Sequence, residues 1–394
     1  MIPGLLRSNK AAGLAVAAVV LILIFIGLAS RRIDSWDFQS LSNADGIGIG
    51  STASGGVSAH YQELNKFFME KVSPASIKLD DPKYKPYGAF EWKFPEGGKK
   101  RWTKPLGKNL CVFDLDSRGF DEPGQAFGNK VLTWDKPEEI HGLSLGVLQH
   151  WLFAKIHGYK YYFVKTGEFT DRRASWKKPF IIRKILEKHE TCVYMDSDAI
   201  FNHMDLPVEW LLNYWDIDAK KDLVSLSIDP KAQHNRDKKG KLYDNTGFII
   251  AQNNPVTFNM MDDWAVCADD DSKYPGCVEY RTVAFGRPSD QGGFGNFIRY
   301  DYKDSVKELP CAEANGFPED RSECLGTFVK HLWSGKHDLI KIAVGQQIPG
   351  AFLEALHRQF LQEKDEFYWT EEELYSKKWD AAPSWLGPDQ KKSS

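Results

Sequence analysis

From Asn109 onward, short apolar runs alternate with helix-patterned segments, and this alternation constrains the fold more than any other property of the chain. Leu110-Cys111-Val112-Phe113 reads as a strand, Leu143–Ile156 as a helix, Tyr161-Tyr162-Phe163-Val164 as a strand, and Pro179–His189 as a helix opening on a proline. Such alternation requires crossover connections. It predicts parallel β-α-β units, hence an α/β protein with a doubly wound sheet and a ligand site at the carboxyl ends of its strands.

The next apolar run, Cys192-Val193-Tyr194-Met195, ends on Asp196-Ser197-Asp198 and resumes as Ala199-Ile200. Its length suits a strand buried on both faces. Two carboxylates in such surroundings are costly unless a cation neutralises them, and a divalent ion carrying a nucleotide diphosphate meets that need. An Asp-x-Asp tripeptide equally suits a turn capped by acids, so its meaning depends on the rest of the chain. Neither a Gly-x-Gly-x-x-Gly fingerprint nor a P-loop is present, which argues against a dinucleotide oxidoreductase and a P-loop enzyme. The formal net charge of −3 points to no nucleic-acid partner.

The amino terminus carries a second strong signal. Ala11–Ser30 holds no charge and is long enough to cross a bilayer, which takes about 20 residues. Ala29-Ser30 before Arg31-Arg32 is a poor cleavage site, so an uncleaved membrane anchor is expected rather than a signal peptide. The expected organisation is a cytoplasmic tail (1–10), a transmembrane anchor (11–30), a stem (31–108) containing a Gly/Ser-rich linker at Leu41–Ala59, and a lumenal domain (109–394). No Cys-x-x-Cys pair occurs among the six cysteines, which argues against zinc. Cys267 with Cys277 and Cys311 with Cys324 flank short loop-like stretches suited to disulfides in a lumen, whereas Cys192, inside a strand, is expected as a packed free thiol. Trp210 and Trp215 are candidate stacking faces for a sugar, or core.

Asp114-Leu115-Asp116, after the first strand, resembles the nucleophile and general acid of haloacid-dehalogenase-type phosphatases, with Arg118 where that family has Thr or Val. A more extensive resemblance begins at Trp176. Trp176-Lys177-Lys178-Pro179, Ile181-Ile182-Arg183, Tyr194 to Phe201 and Met204-Asp205-Leu206 look like glycosyltransferase family 34. Asn245-Thr246-Gly247-Phe248, Ser289-Asp290-Gln291 and His331-Leu332-Trp333-Ser334-Gly335-Lys336 follow in the order of that family's blocks. The similarity spans about Leu110 to Lys336.

This resemblance implies a GT-A fold, type II Golgi topology and retaining, manganese-dependent transfer from a nucleotide sugar to a glycan. It permits UDP-galactose, UDP-xylose or GDP-mannose as donor, and a place in a Golgi transferase complex. It implies Asp198 and His331 as metal ligands, with Asp196 holding the metal or the ribose. Lys178 and Lys336 become cationic contacts for the diphosphate, while Ser197, Asn245, Gly247 and Gly335 belong to the nucleotide-sugar site. Asp290 becomes the nucleophile or charge stabiliser, and Gln291 a partner of the transferred sugar. Ser289 and the Gly292-Gly293 pair depart from the family pattern, which puts the shape of the sugar pocket in question.

Overall fold

Leu110 and Val112 pack into one hydrophobic cluster while Cys111 and Phe113 pack into another, so this strand is buried on both faces and reads as an unbroken apolar run. The computed structural model describes residues 62–63, 66, 77–85, 90–133, 135–317, 322–348 and 350–377. The anchor expected at 11–30 and the linker at 41–59 lie outside the described residues, among which no helix is long and apolar enough to cross a membrane.

The strands are β1 (Lys83–Tyr84), β2 (Trp92–Lys93), β3 (Leu110–Asp116), β4 (Lys160–Lys165), β5 (Thr191–Met195) and β6 (Ala199–Phe201). They continue as β7 (Val224–Ile228), β8 (Asp244–Gln252), β9 (Val306–Leu309), β10 (Val329–His331) and β11 (Tyr368–Thr370). The helices used below are α1 (Gly142–His157), α2 (Lys178–Leu186), α3 (Val208–Tyr214), α4 (Pro255–Ala265), α5 (Ser289–Gly293) and α6 (Lys336–Gln347).

Seven strands form the central sheet in the order β11-β4-β3-β5-β8-β7-β9. The β-α-β reading holds for β3, β4 and β5, which pair in parallel. The parallel pattern does not extend to β8, which runs antiparallel to both β5 and β7. No helix lies between β7 and β8, only a 3-10 turn at Gln233–Asn235, so the chain reverses there without a crossover. The result is a mixed sheet covered on both faces. Helix α1 contributes to one cluster and α2 and α4 to the other. Helix α1 is apolar almost all round, as befits a helix enclosed by protein. Part of the tail beyond Phe360 is structural, since β11 extends the sheet beside β4.

Two further expectations are corrected. Residues 77–85 and 90–108, within the stretch 31–108 assigned to the stem, are irregular apart from the short β1–β2 pair and pack onto the domain. Tyr84 and Trp102 are buried, and Trp210 Nε1 donates to the Asp81 carbonyl (2.9 Å). Asn213 Nδ2 on α3 donates to the carbonyls of Leu79 (3.1 Å) and Trp102 (2.8 Å), so side chains of the domain satisfy this backbone where no strand does. Cys192 is not a free thiol. It lies opposite Cys111 in the β3–β5 register, with Cα atoms 4.6 Å apart, and the two are bonded. Neighbouring strands fix that pairing, which local sequence does not encode. Cys267–Cys277 and Cys311–Cys324 form the two expected disulfides.

Candidate active site

The Asp196-Ser197-Asp198 turn leaves the carboxyl end of β5 and is held from three sides. Ala199 N donates to Asp196 O (2.8 Å), closing the turn, and Asp196 N donates to Gly247 O (2.8 Å) at the start of β8. On the second side, β6 pairs antiparallel with β10 so that His331 lies opposite Ala199, and Leu332 N donates to Asp198 O (2.8 Å). Helix α1 supports the turn from below. His150 Nε2 donates to Ala199 O (2.8 Å) and Gln149 Nε2 to Phe201 O (2.6 Å). Gly146 allows this approach, since a Cβ there would lie 2.1 Å from Ser197 O.

Three potential ligand atoms, one each from Asp196, Asp198 and His331, lie within 4.8 Å of one another. His331 Nε2 is 3.3 Å from Asp198 Oδ1 and 3.8 Å from Asp196 Oδ2. The orientation of the imidazole follows from Asn315. Its Nδ2 faces two groups that only accept, Asp229 Oδ1 (3.2 Å) and the Ile228 carbonyl (3.3 Å), so its Oδ1 must face His331 Nδ1 at 3.0 Å. Nδ1 therefore carries hydrogen, and Nε2 is the nitrogen turned toward the two carboxylates. Burial opposes a proton on His331, but the hydrogen bond and charge of Asp198 outweigh it and raise the pKa. Burial likewise pushes Asp198 upward, and His331 and Lys336 more than reverse it. An Nε2 position that attracts a proton between two carboxylates also suits a divalent cation. Gly247 is part of this fit, because a Cβ there would meet the His331 ring at 2.2 Å.

Two lysines flank the acids. Lys178 Nζ lies 3.2 Å from Asp196 Oδ1 and 3.5 Å from Asp290 Oδ2, and donates to the Thr246 carbonyl (3.0 Å). Burial disfavours its charge, but Asp196 and Asp290 hold its pKa above the usual lysine value. Lys336 Nζ, from α6, donates to Asp198 Oδ2 (3.0 Å), and Gly335 starts that helix at φ +61°, a conformation suited to glycine. Asp290 is buried in α5, its Oδ2 accepting from Thr246 Oγ1 (2.9 Å). Gln291 turns elsewhere and donates to Asp229 Oδ2 (2.6 Å). The Gly292-Gly293 pair opens no extra pocket. Any Cβ there would strike the rings of Tyr280 and Trp176, which fill the space.

A cleft of about 730 Å³ opens over the turn, lined by Lys178, Asp196, Ser197, Asp198 and Lys336 together with Arg118, Arg172 and Arg173. Arg118 pairs with Asp116 (2.6 Å) and reaches Ser197 Oγ (3.3 Å). Asp114 does not line the cleft. It is buried, accepting from Tyr161 OH (2.7 Å) and bonded to His150 Nδ1 (2.9 Å), which leaves no face from which it attacks a phosphate. Trp210 and Trp215 are core residues rather than stacking faces.

Several residues of the site escaped sequence reasoning. Asp229 accepts from the side-chain amides of Asn245 (2.8 Å), Asn315 (3.2 Å) and Gln291 (2.6 Å). Asn245 in turn accepts from Gly247 N (2.8 Å), so its amide is engaged in shaping the site. Asp229 follows an apolar run as Asp196 does, the one signal available for it. For Asn315 the sequence offers none.

No curated protein matches this sequence. Among solved structures, a glycosyltransferase involved in glycosylating the major capsid of the virus PBCV-1 shares 11% identity, covering 60% of this chain and 98% of its own, at a TM-score of 0.42. A galactosyltransferase crystallised with donor and acceptor sugar analogues shares 12% (60% and 95% covered, TM-score 0.34). Mouse xyloside xylosyltransferase 1 shares 10% (58% and 98% covered, TM-score 0.35). Residues 161–338, which hold Lys178, the acidic turn, Asp290, His331 and Lys336, match the nucleotide-diphospho-sugar transferase family, and this match supports a glycosyltransferase.

Proposed function

We propose that this protein is a manganese-dependent, retaining glycosyltransferase of the family 34 type, held in the Golgi membrane with its amino terminus cytoplasmic and its domain lumenal. The observation that carries the reading is the convergence of Asp196, Asp198 and His331 beside Lys178 and Lys336. Two carboxylates and an imidazole form a donor set suited to Mn²⁺. When bound, the ion supplies Lewis-acid neutralisation of charge on the departing diphosphate. Lys178 and Lys336 hold phosphate oxygens from opposite sides of the turn, and Ser197 and Gly335 keep the backbone close to the nucleotide.

Asp290 is the carboxylate assigned to stabilise positive charge at the transferred carbon or to attack it, held in place 3.5 Å from Lys178 Nζ and by the Thr246 hydroxyl (2.9 Å). Asp229 anchors Gln291, the residue assigned to the transferred sugar, by accepting from its Nε2 (2.6 Å). The donor is UDP-galactose, UDP-xylose or GDP-mannose, and the acceptor a glycan. Three disulfides suit an oxidising compartment, and Ala11–Ser30 suits an anchor.

Purified protein tested against the three nucleotide sugars with Mn²⁺ is expected to hydrolyse one of them slowly, and Asp198→Ala to abolish this. No hydrolysis, no transfer and no thermal stabilisation by Mn²⁺ with UDP or GDP would instead identify a non-catalytic subunit of a transferase complex. Protease protection of the full chain in sealed Golgi vesicles checks the topology.

A further inference from the structure

Behind the acidic turn lies a second cleft, of about 570 Å³, none of whose lining residues lines the first. Phe317, Trp333 and His234 supply the aromatic part of its lining. Trp333, 38% exposed, is stacked on the buried Phe317 with ring centroids 4.7 Å apart. Phe285, on a loop tip and 92% exposed, lies at the rim, its ring 5.3 Å from that of His234 in the cleft lining. Aromatic rings accessible at a cleft offer flat apolar faces on which a ligand ring can stack.

The remaining lining mixes polar groups with Pro230, Ala232 and the Cys311–Cys324 disulfide, and its charged residues are Lys231, Glu323 and Asp229, the last already engaged by three amides. This contrasts with the first cleft, where Arg118, Arg172, Arg173, Lys178 and Lys336 gather around the acids. The second cleft is also tied to the first site. Asp229 forms part of its wall, and Asn315 joins Asp229 to His331. The Cys311–Cys324 disulfide lines it and clamps the segment bearing Asn315 and Phe317.

We propose that this second cleft binds the acceptor as an uncharged oligosaccharide end, with sugar rings laid on Trp333 and Phe285. This rests on the transferase reading above. Flat aromatic faces suit the C–H faces of sugar rings, the polar rim suits their hydroxyls, and a cleft of this volume lies within the usual small-ligand range of roughly 300–1,000 Å³. An anionic donor is drawn instead to the cationic first cleft.

The test titrates the protein with cellohexaose, mannohexaose and a xyloglucan oligosaccharide by saturation-transfer NMR, and separately with Mn²⁺ plus UDP or GDP. At least one glycan is expected to bind, and Trp333→Ala and Phe285→Ala each to weaken it on the order of tenfold or more, with Mn²⁺–nucleotide binding and melting temperature unchanged. Trp333→Phe is expected to restore most of the loss. Because Trp333 also touches the His331 ring (5.3 Å), Phe285→Ala is the cleaner variant should Trp333→Ala disturb the metal site. Glycan binding indifferent to both Phe285→Ala and Trp333→Ala, or no binding to any of the three glycans while Mn²⁺–nucleotide binds, overturns the proposal alone. Failure of Mn²⁺–nucleotide binding in the unaltered protein counts against the transferase reading itself.

Discussion

Gly247→Ala adds one methyl group and is expected to disable the metal centre. The added Cβ would lie 2.2 Å from His331 Cε1, 2.7 Å from Nε2 and 2.9 Å from Nδ1. Relief requires the ring to retreat by about 1 Å or more, since carbon atoms settle near 3.5–4.0 Å. The ring has nowhere to go. His331 is buried, its backbone is paired to β6, and its Nδ1 is bonded to Asn315. Backbone strain does not contribute, because Gly247 is not among the positive-φ glycines, so alanine tolerates the conformation. The overpacking costs about 1–3 kcal/mol, or a fall of several degrees in melting temperature for a domain of this size. The effect on the metal is larger. Ligand distances tolerate only about ±0.2 Å, so a displaced Nε2 is lost as a ligand, and Mn²⁺ affinity is expected to fall on the order of a hundredfold. Electron paramagnetic resonance of free Mn²⁺, titrated with protein in the presence of UDP or GDP, reads this directly. A Gly247→Ala, His331→Ala double variant supplies the control: removing the ring restores room and melting temperature but not affinity. Wild-type Mn²⁺ affinity in Gly247→Ala would refute the placement of His331 as a ligand.

Asn315→Leu removes the amide that fixes the imidazole, and Mn²⁺ affinity is expected to fall about 10–100-fold while nitrogen NMR of His331 shows loss of the Nδ1–H form; an unchanged tautomer would sink the argument. Stability is expected to decline in acid because His189 and His357 are buried neutral, each accepting at one ring nitrogen, from Tyr162 OH (2.8 Å) and from Leu132 N (2.7 Å) respectively. Burial lowers each pKa from 6.5 to about 4, so the unfolded chain binds more protons between those values. Their contribution is whole above about pH 6.5 and is lost as the pH falls toward 4, on the order of 3 kcal/mol each at the lower end. Urea melts from pH 7.5 to 4.5 check this, with His357→Gln flattening the slope. Peptide mapping without reductant is expected to recover Cys111 joined to Cys192, and the paired Cys111→Ala, Cys192→Ala change to cost about 2–5 kcal/mol of stability; recovery of either thiol free would contradict the β3–β5 register.

The ordered part of the fold that local sequence encodes is the β3–α1–β4–α2–β5 series, where apolar period and strand length are properties of each segment alone. The direction of β8 is not of this kind, because nine apolar-rich residues pair equally well in either sense and the choice rests on the turn before them. The same division runs through the site. Asp196 and Asp198 stand out in the sequence as a candidate cation site, whereas His331 and Gly247 enter only through the family resemblance, and what the fold adds for Gly247 is a histidine 84 positions away that fills the space beside it. Trp210, Trp215 and Trp333 were alike as letters. Burial alone separates the first two, packed against the 77–108 segment and the core, from the third, which faces solvent beside Phe317.

What makes the centre a single unit is a carboxylate that holds no metal. Asp229 collects Asn245 from β8, Gln291 from α5 and Asn315 from the segment between the two cysteines Cys311 and Cys324. Two of those amides have a further engagement near the chemistry, Asn245 with Gly247 N and Asn315 with the His331 ring, while Gln291 follows Asp290 on the same short helix. An amide donates from one end and accepts at the other, so a shared acceptor fixes the orientation of all three at once. Burial raises the Asp229 pKa, while the Asn245 and Gln291 donors act to keep its charge. A neutral, protonated Asp229 would offer a donor where three donors already point. The orientation of His331 therefore depends on the charge of a residue outside the Asp196–Asp198–His331 cluster, and the aromatic cleft built on the same carboxylate is held in register with that cluster by that one group.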